Sequence, residues 1–279
     1  LRRLEERPGF SDESAMNNPG QEFVLVLALL GIFGGFASGL LGFGGGVVMF
    51  PLLFYVPPLL GFQRIDAKTV AALVISQVVF STIVGGLAHL RSRRVQWRLG
   101  LTAGGISAIG SLIGGAASKW LSEFFLLLVF GVVTLVVASM MFLPAPPEAR
   151  ENLAVEDVTV TFAPLAFLSV VAGLVVGLLG AGNFIFVPVL IYMLRVPTRI
   201  AIATSLLIAL MNTFFGFMGK LVTDQIPLVP ALAVVVGAAV GALLGEKIHS
   251  RIASSALRYI YAVIIVVITL RIWITLFQS

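Results

Sequence analysis

Apolar residues in this chain come in long runs, not in the alternation of a strand or the one-sided spacing of a surface helix. Eight runs stand out: Phe23–Leu41, Thr69–Leu90, Leu99–Ser118, Phe124–Leu143, Phe162–Leu179, Ile200–Gly219, Ile226–Gly245 and Tyr259–Phe277. Each is close to the ~20 residues that a helix needs to cross a bilayer core. Only the last carries a charge well inside it, Arg271. Two apolar stretches are shorter. Val47–Phe62 holds Pro51, Pro57 and Pro58, and Phe184–Leu194 holds Pro188 with Pro197 just beyond. As helices they would reach about 24 and 16 Å, short of a ~30 Å hydrocarbon core. They read as half-helices or re-entrant segments.

The pattern divides the chain into a polar tail over 1–20, a first membrane unit over 21–143, a linker over 144–158 and a second membrane unit over 159–279. The linker is acidic and carries three prolines. The tail mixes Arg2, Arg3 and Arg7 with Glu5, Glu6, Asp12 and Glu13, and shows none of the sequence of features that marks a secretion signal.

Composition agrees with this division. Hydrophobic residues make up 59% of the 279 and charged residues 11%, against about 25% charged in soluble domains. So little charge cannot cover a water-facing globule, which excludes a soluble enzyme, a disordered chain and a fibre. The expected class is an all-α polytopic membrane protein, multi-pass in a cell membrane, here a bacterial inner membrane, with the lipid bilayer as its main partner. The net charge of +5 is read as basic cytoplasmic loops and not as nucleic-acid binding. With no cysteine, disulfides and thiolate chemistry are absent.

The two units match each other. Gly39-Leu-Leu-Gly-Phe-Gly-Gly-Gly46 precedes Pro51, and Gly177-Leu-Leu-Gly-Ala-Gly-Asn183 precedes Pro188. The offset is 138 at the first glycine and 137 at the proline, and it settles at 131 for Thr82 and Thr213, Gly85 and Gly216, Gly110 and Gly241, and Gly114 and Gly245. The expected architecture is two homologous repeats, each with four long transmembrane helices plus one short Gly/Pro-broken segment. Repeats with interrupted helices at matching places are a mark of secondary transporters. Backbone that leaves a helix in lipid survives only where it is buried in protein or lines a cavity. There, free N–H groups and half-helix ends can hold an ion.

These residues resemble the TauE/SafE sulfite-exporter family of membrane permeases, over about 23–277. The resemblance implies transport of a small sulfur-containing or organic anion, such as sulfite or a sulfonate. Asn183 departs from the first motif, where glycine stands, so the two halves need not play equal parts. The leading reading is a permease working by alternating access around the two breaks, coupled to a proton, an ion or the substrate's own gradient. A passive anion channel of the same architecture is the alternative. A homo-oligomer is left open by the sequence.

Short-loop Lys and Arg set orientation. If the short segments cross, the repeats are inverted. Arg91–Arg98, Arg195 with Arg199, and Lys247–Arg258 then share one side with nine positive charges, against four on the other. If they do not cross, the repeats are parallel and the best split is eight to five. Charge favours inversion, although it leaves the polar tail outside.

Candidate substrate contacts are the break glycines Gly42, Gly44, Gly45, Gly46, Gly180 and Gly182, where the backbone can approach a ligand, with Asn183, Gln77 and Asn212. Ser76, Ser81, Thr204, Ser205, His89 and Lys220 are candidates for the pathway or its gates. Hydroxyls can instead bond their own helix, and His89, Lys220 and Arg271 can snorkel to the interface. Gly31, Gly35 and Gly39, like Gly237, Gly241 and Gly245, are spaced for helix packing. No phosphate loop, His-Glu-x-x-His or Gly-x-Ser-x-Gly pattern occurs, and no acid lies inside a long helix. The expectation is no enzyme, no cofactor and no metal.

Overall fold

The computed structural model describes residues 20–41, 45–90, 95–141, 160–249 and 254–278. Gly42, Gly44, the tail over 1–19 and the linker lie outside these residues. Among the described residues every regular element is a helix and there is no strand. In order come α1 (Gln21–Leu41), α2 (Gly46–Leu59), α3 (Ala67–Leu90), α4 (Trp97–Ala117) and α5 (Glu123–Met141). These are followed by α6 (Phe162–Leu179), a broken segment over Asn183–Met193, α7 (Thr198–Val222), α8 (Leu228–His249) and α9 (Ser254–Gln278). Seven helices have the length and apolar content to cross a membrane, and the apolar part of α9 among the described residues is the shorter Ile265–Phe277.

Local signals fix the helix ends. The Asp66 carboxylate accepts from the amides of Lys68 and Thr69 and starts α3. The Gln96 side chain accepts from Leu99 N at 2.6 Å and starts α4. Each satisfies an amide that the first turn leaves without a partner.

The distribution of side chains is that of a protein in lipid. Leu25, Phe33, Ile109, Phe167, Leu232 and Val236 point outward, while Gln77, Asn212 and Lys220 are each 0% exposed. In water this arrangement would leave apolar surface wet and polar groups unsatisfied. In a bilayer the outer residues meet acyl chains, and polar groups belong inside.

Helices pair across the two halves of the chain: α1 lies on α8, and α4 lies on both α6 and α7. Glycines set these distances. A methyl on Gly241 would stand 2.0 Å from the Ile32 carbonyl oxygen, and one on Gly110 would stand 2.7 Å from that of Val170. On Gly245 and Gly114 it would meet the Phe36 and Leu174 oxygens at 2.2 and 2.3 Å, and on Gly35 and Gly173 the Ala238 and Ser107 oxygens at 2.1 Å each. These glycines serve close helix packing.

One end of the bundle is tied by polar groups. Arg64 pairs with Glu123, Lys68 Nζ donates to the Lys119 carbonyl at 2.9 Å, and Lys119 Nζ donates to the Thr223 carbonyl at 2.9 Å. At the other end, Gln96 N donates to Thr204 Oγ1 at 3.1 Å.

Candidate functional site

Both glycine-rich motifs turn the chain back into the bundle. Gly45 takes the left-handed conformation at φ 57°, and α2 begins at the next residue. The turn is tight: a methyl on Gly45 would lie 2.6 Å from both the Gly34 oxygen and the Ser38 nitrogen of α1. The chain has therefore doubled back by more than a turn from the end of α1. Gly180 takes the same conformation at φ 69° and ends α6, with its amide bonded to the Val176 oxygen at 2.7 Å. A methyl on Gly180 would meet the Ala71 oxygen at 2.3 Å, and one on Gly182 would meet the Val176 nitrogen at 2.8 Å. Only glycine fits such a turn without strain.

The two turns meet. A methyl on Gly46 would lie 2.9 Å from Ala181 Cα and 3.1–3.2 Å from Val78 and Val74. Val74 and Val78 are seven and eleven residues into the 24-residue α3, roughly 11–17 Å along it at 1.5 Å per residue. The start of α2 is thus well inside the bundle. Gly45 offers no side-chain cap. The Val48 and Met49 amides bond the Gly45 oxygen at 3.0 and 3.1 Å, which leaves the amides of Gly46 and Val47 without an intrahelical partner, and the positive end of the helix dipole points inward.

The breaks are narrower than the sequence suggests. The proline of the first motif does not mark irregular chain: α2 runs as helix through Pro51, Pro57 and Pro58. Pro51 is the sixth residue of α2, so it removes the bond to the Val47 carbonyl and crowds that oxygen, and the helix runs on regardless. The second segment is more distorted. It is a 3-10 turn over Asn183–Ile185, a short α stretch over Phe186–Pro188 and a π turn over Val189–Met193.

Polar side chains around the breaks lack partners. Asn183 is 4% exposed, and neither amide atom makes a hydrogen bond. Asn212 is the same at 0% exposed. Gln77 donates to Ser81 Oγ at 3.1 Å, but its Oε1 is unpaired. Among the described residues, no hydrogen bond links Asn183, Gln77 and Asn212 to each other. An unpaired buried polar group costs about 1–3 kcal/mol; Thr82 and Ser111 also carry one.

The remaining candidates are placed as follows. Ser76 Oγ bonds the Ala72 oxygen and Ser205 Oγ the Ile202 oxygen, each on its own helix. Thr204 Oγ1 holds Gln96 N at the start of α4. These three are occupied structurally. His89 lies in α3, but its side chain is outside the described residues. Arg271 is exposed and stands over the Tyr55 ring at 5.3 Å. Lys220 corrects the snorkelling expectation. It is wholly buried, donating to Ser118 Oγ at 2.5 Å and to the Leu178 carbonyl at 3.4 Å.

Sequence reasoning passed over Ser111, Thr82, Ser118 and Gln225. Ser111 fills the gap at Gly216, where a methyl would stand 2.4 Å from its Oγ. Ser118 Oγ lies 2.8 Å from Gln225 Oε1, and Gln225 Nε2 donates to the Gly115 oxygen at 2.8 Å. The signal available was spacing: Ser111 and Ser118 are seven residues apart, two turns along α4 to the residue that follows its end.

Residues 27–272 match the family model described as Sulfite exporter TauE/SafE. The chain belongs to the TauE/SafE family. It is 25% identical over 261 residues to a Bacillus subtilis protein named "Probable membrane transporter protein YunE", covering 88% of this chain and 95% of that one. It is 27% identical over 260 residues to a Xylella fastidiosa "Probable membrane transporter protein", covering 90% and 94%. A Methanocaldococcus jannaschii protein, "Probable membrane transporter protein MJ0441", is 24% identical over 256 residues, covering 85% and 94%. No solved structure matches the chain. This TauE/SafE protein is accordingly a multi-pass membrane transporter and not an enzyme.

Proposed function

We propose that this protein is a secondary carrier of a small anion, a sulfur oxyanion such as sulfite or an organosulfonate, in a bacterial inner membrane. The observation that carries the reading is the contact of the two breaks, Gly46 against Ala181, inside the bundle. The anion is held there by the free amides at the start of α2 and by the Asn183 amide, with Gln77 and Asn212 lining the approach. Such groups neutralise no charge of their own and suit an anion that must also leave.

Alternating access follows from inverted repeats. Supporting a two-fold relation between the halves, the close approaches recur at fixed offsets. Gly110 on Val170 becomes Gly241 on Ile32, with differences of 131 and 138. Gly114 on Leu174 becomes Gly245 on Phe36, and Gly35 on Ala238 becomes Gly173 on Ser107, at the same two offsets. Two halves that exchange in this way can rock about the breaks, opening one end as the other closes.

The test is counterflow in proteoliposomes. Vesicles preloaded with unlabelled sulfite should accumulate labelled sulfite transiently and saturably. Sulfite flux that is linear in concentration and shows no counterflow would favour the passive channel. No flux for sulfite, methanesulfonate or isethionate would refute anion transport.

A further inference from the structure

Lys220 is a buried cation that the reading above does not use, and its surroundings say more about the cargo than the breaks do. We propose that Lys220 is the fixed countercharge of the transport site and restricts its cargo to anions of a single negative charge. The inference rests on the anion-transport reading.

The side chain is 0% exposed, so it can neither reach the interface nor attract ions from bulk solvent. Its position ties it to the second break. Nζ lies 3.4 Å from the carbonyl of Leu178, two residues before the turn at Gly180. Ser118 Oγ, at 2.5 Å, holds it from α4, and that hydroxyl also contacts Gln225 Oε1 at 2.8 Å and the Gly115 carbonyl at 2.7 Å. Both ligands of the ammonium are neutral, and they use two of its three donors. The last turn of α6 adds the negative end of a helix dipole, which favours a cation without neutralising it.

Among the described residues no carboxylate pairs with Lys220. Asp66 is exposed and is engaged with the amides of Lys68 and Thr69. A cation in such a place is unfavourable until an anion arrives. The other polar groups of the site, the α2 amides and the Asn183 amide, are neutral. The site therefore offers one unit of positive charge. A monoanion leaves it electrically neutral in a low dielectric. A dianion leaves a net negative charge, and a neutral molecule leaves the ammonium unpaired. Sulfonates, hydrogen sulfite and monocarboxylates fit this condition, and sulfate does not.

The experiment compares three probes of similar size and different charge on purified protein in lipid nanodiscs: methanesulfonate, dimethyl sulfone and sulfate. Binding is read by calorimetry and flux in proteoliposomes. The wild type and Lys220→Arg should bind methanesulfonate at least tenfold more tightly than either other probe. Lys220→Met should lose that preference, with affinity for dimethyl sulfone unchanged. A loss of packing alone would weaken all three probes together, and that result would overturn the proposal. So would a folded Lys220→Met that keeps the wild-type preference, or a wild type that favours sulfate. If Lys220→Met does not fold, Ser118→Ala replaces it. Removing the hydroxyl that holds the ammonium should lower methanesulfonate affinity at least threefold and spare dimethyl sulfone, and an unchanged preference overturns the idea. Anion flux in the wild type with an unaltered preference in the variants defeats this inference alone. Absence of any anion binding or flux in the wild type defeats the transport reading and this inference with it.

Discussion

Gly45→Ala separates the two demands that the first break makes on its turn residue. Gly45 has φ 57°, and a methyl there would lie 2.6 Å from the Gly34 oxygen, 2.6 Å from the Ser38 nitrogen and 2.8 Å from Ser38 Cα. Gly61 supplies the control. It has φ 84° in the α2–α3 turn, and nothing lies within 4 Å of a methyl added to it. Gly61→Ala should therefore carry only the left-handed penalty, about 1–2 kcal/mol. Gly45→Ala carries that and also forces backbone of α1 to yield. Overpacking of this kind typically costs about 1–3 kcal/mol, which brings the total to roughly 2–5 kcal/mol. The assay is reversible unfolding in mixed micelles, followed by helicity, beside flux in proteoliposomes. Gly61→Ala should lose the smaller amount and transport normally, whereas Gly45→Ala should lose more and transport poorly. If the two are equally stable, the first break is not packed on α1. If Gly45→Ala is destabilised yet transports at the wild-type rate, the break is not part of the path.

Three further outcomes are expected. Asn183→Ala should not lose stability, because relief of the unpaired buried amide offsets the lost packing, and should weaken substrate binding at least about tenfold, as loss of a hydrogen bond to a charged group of ~1.5–3 kcal/mol would; calorimetry checks both. Gly46→Ala should lose about 1–3 kcal/mol, since the added methyl would stand 2.9 Å from Ala181 Cα, backbone that must give way, and flux should fall because the methyl fills the gap between the breaks. Single cysteines placed at Ser92 and Ser250 should be labelled from the same, cytoplasmic side, and labelling from opposite sides would make the repeats parallel.

The long helices were legible because nothing competes with an uncharged apolar run in a bilayer. The Thr69–Leu90 run becomes Ala67–Leu90 only because Asp66 caps one turn earlier. The breaks were legible from clustered glycine before proline. Which glycine turns the chain was not, since the left-handed conformation at Gly45 answers to α1 packing beside it. Pro51 misled because α2 continues through an interior proline at the loss of one backbone bond, whereas sequence alone reads it as interruption. Lys220 misled for a different reason. Two residues from a helix end it looks interfacial, and its burial depends on α4 and α6 closing over it. Ser111 and Ser118 offered only their seven-residue spacing, because their importance comes from the neighbours that Gly216 and Lys220 supply.

Accessibility of Ala181, the residue that touches Gly46 across the two breaks, tests the central claim most directly. The native chain has no cysteine, so Ala181→Cys can be modified alone with a membrane-impermeant thiol reagent applied to either face of oriented proteoliposomes. The account predicts modification from both faces, slowed by methanesulfonate in each case. Modification from neither face, or from one face only, or at a rate that methanesulfonate does not alter, would contradict a carrier that alternates around these two breaks.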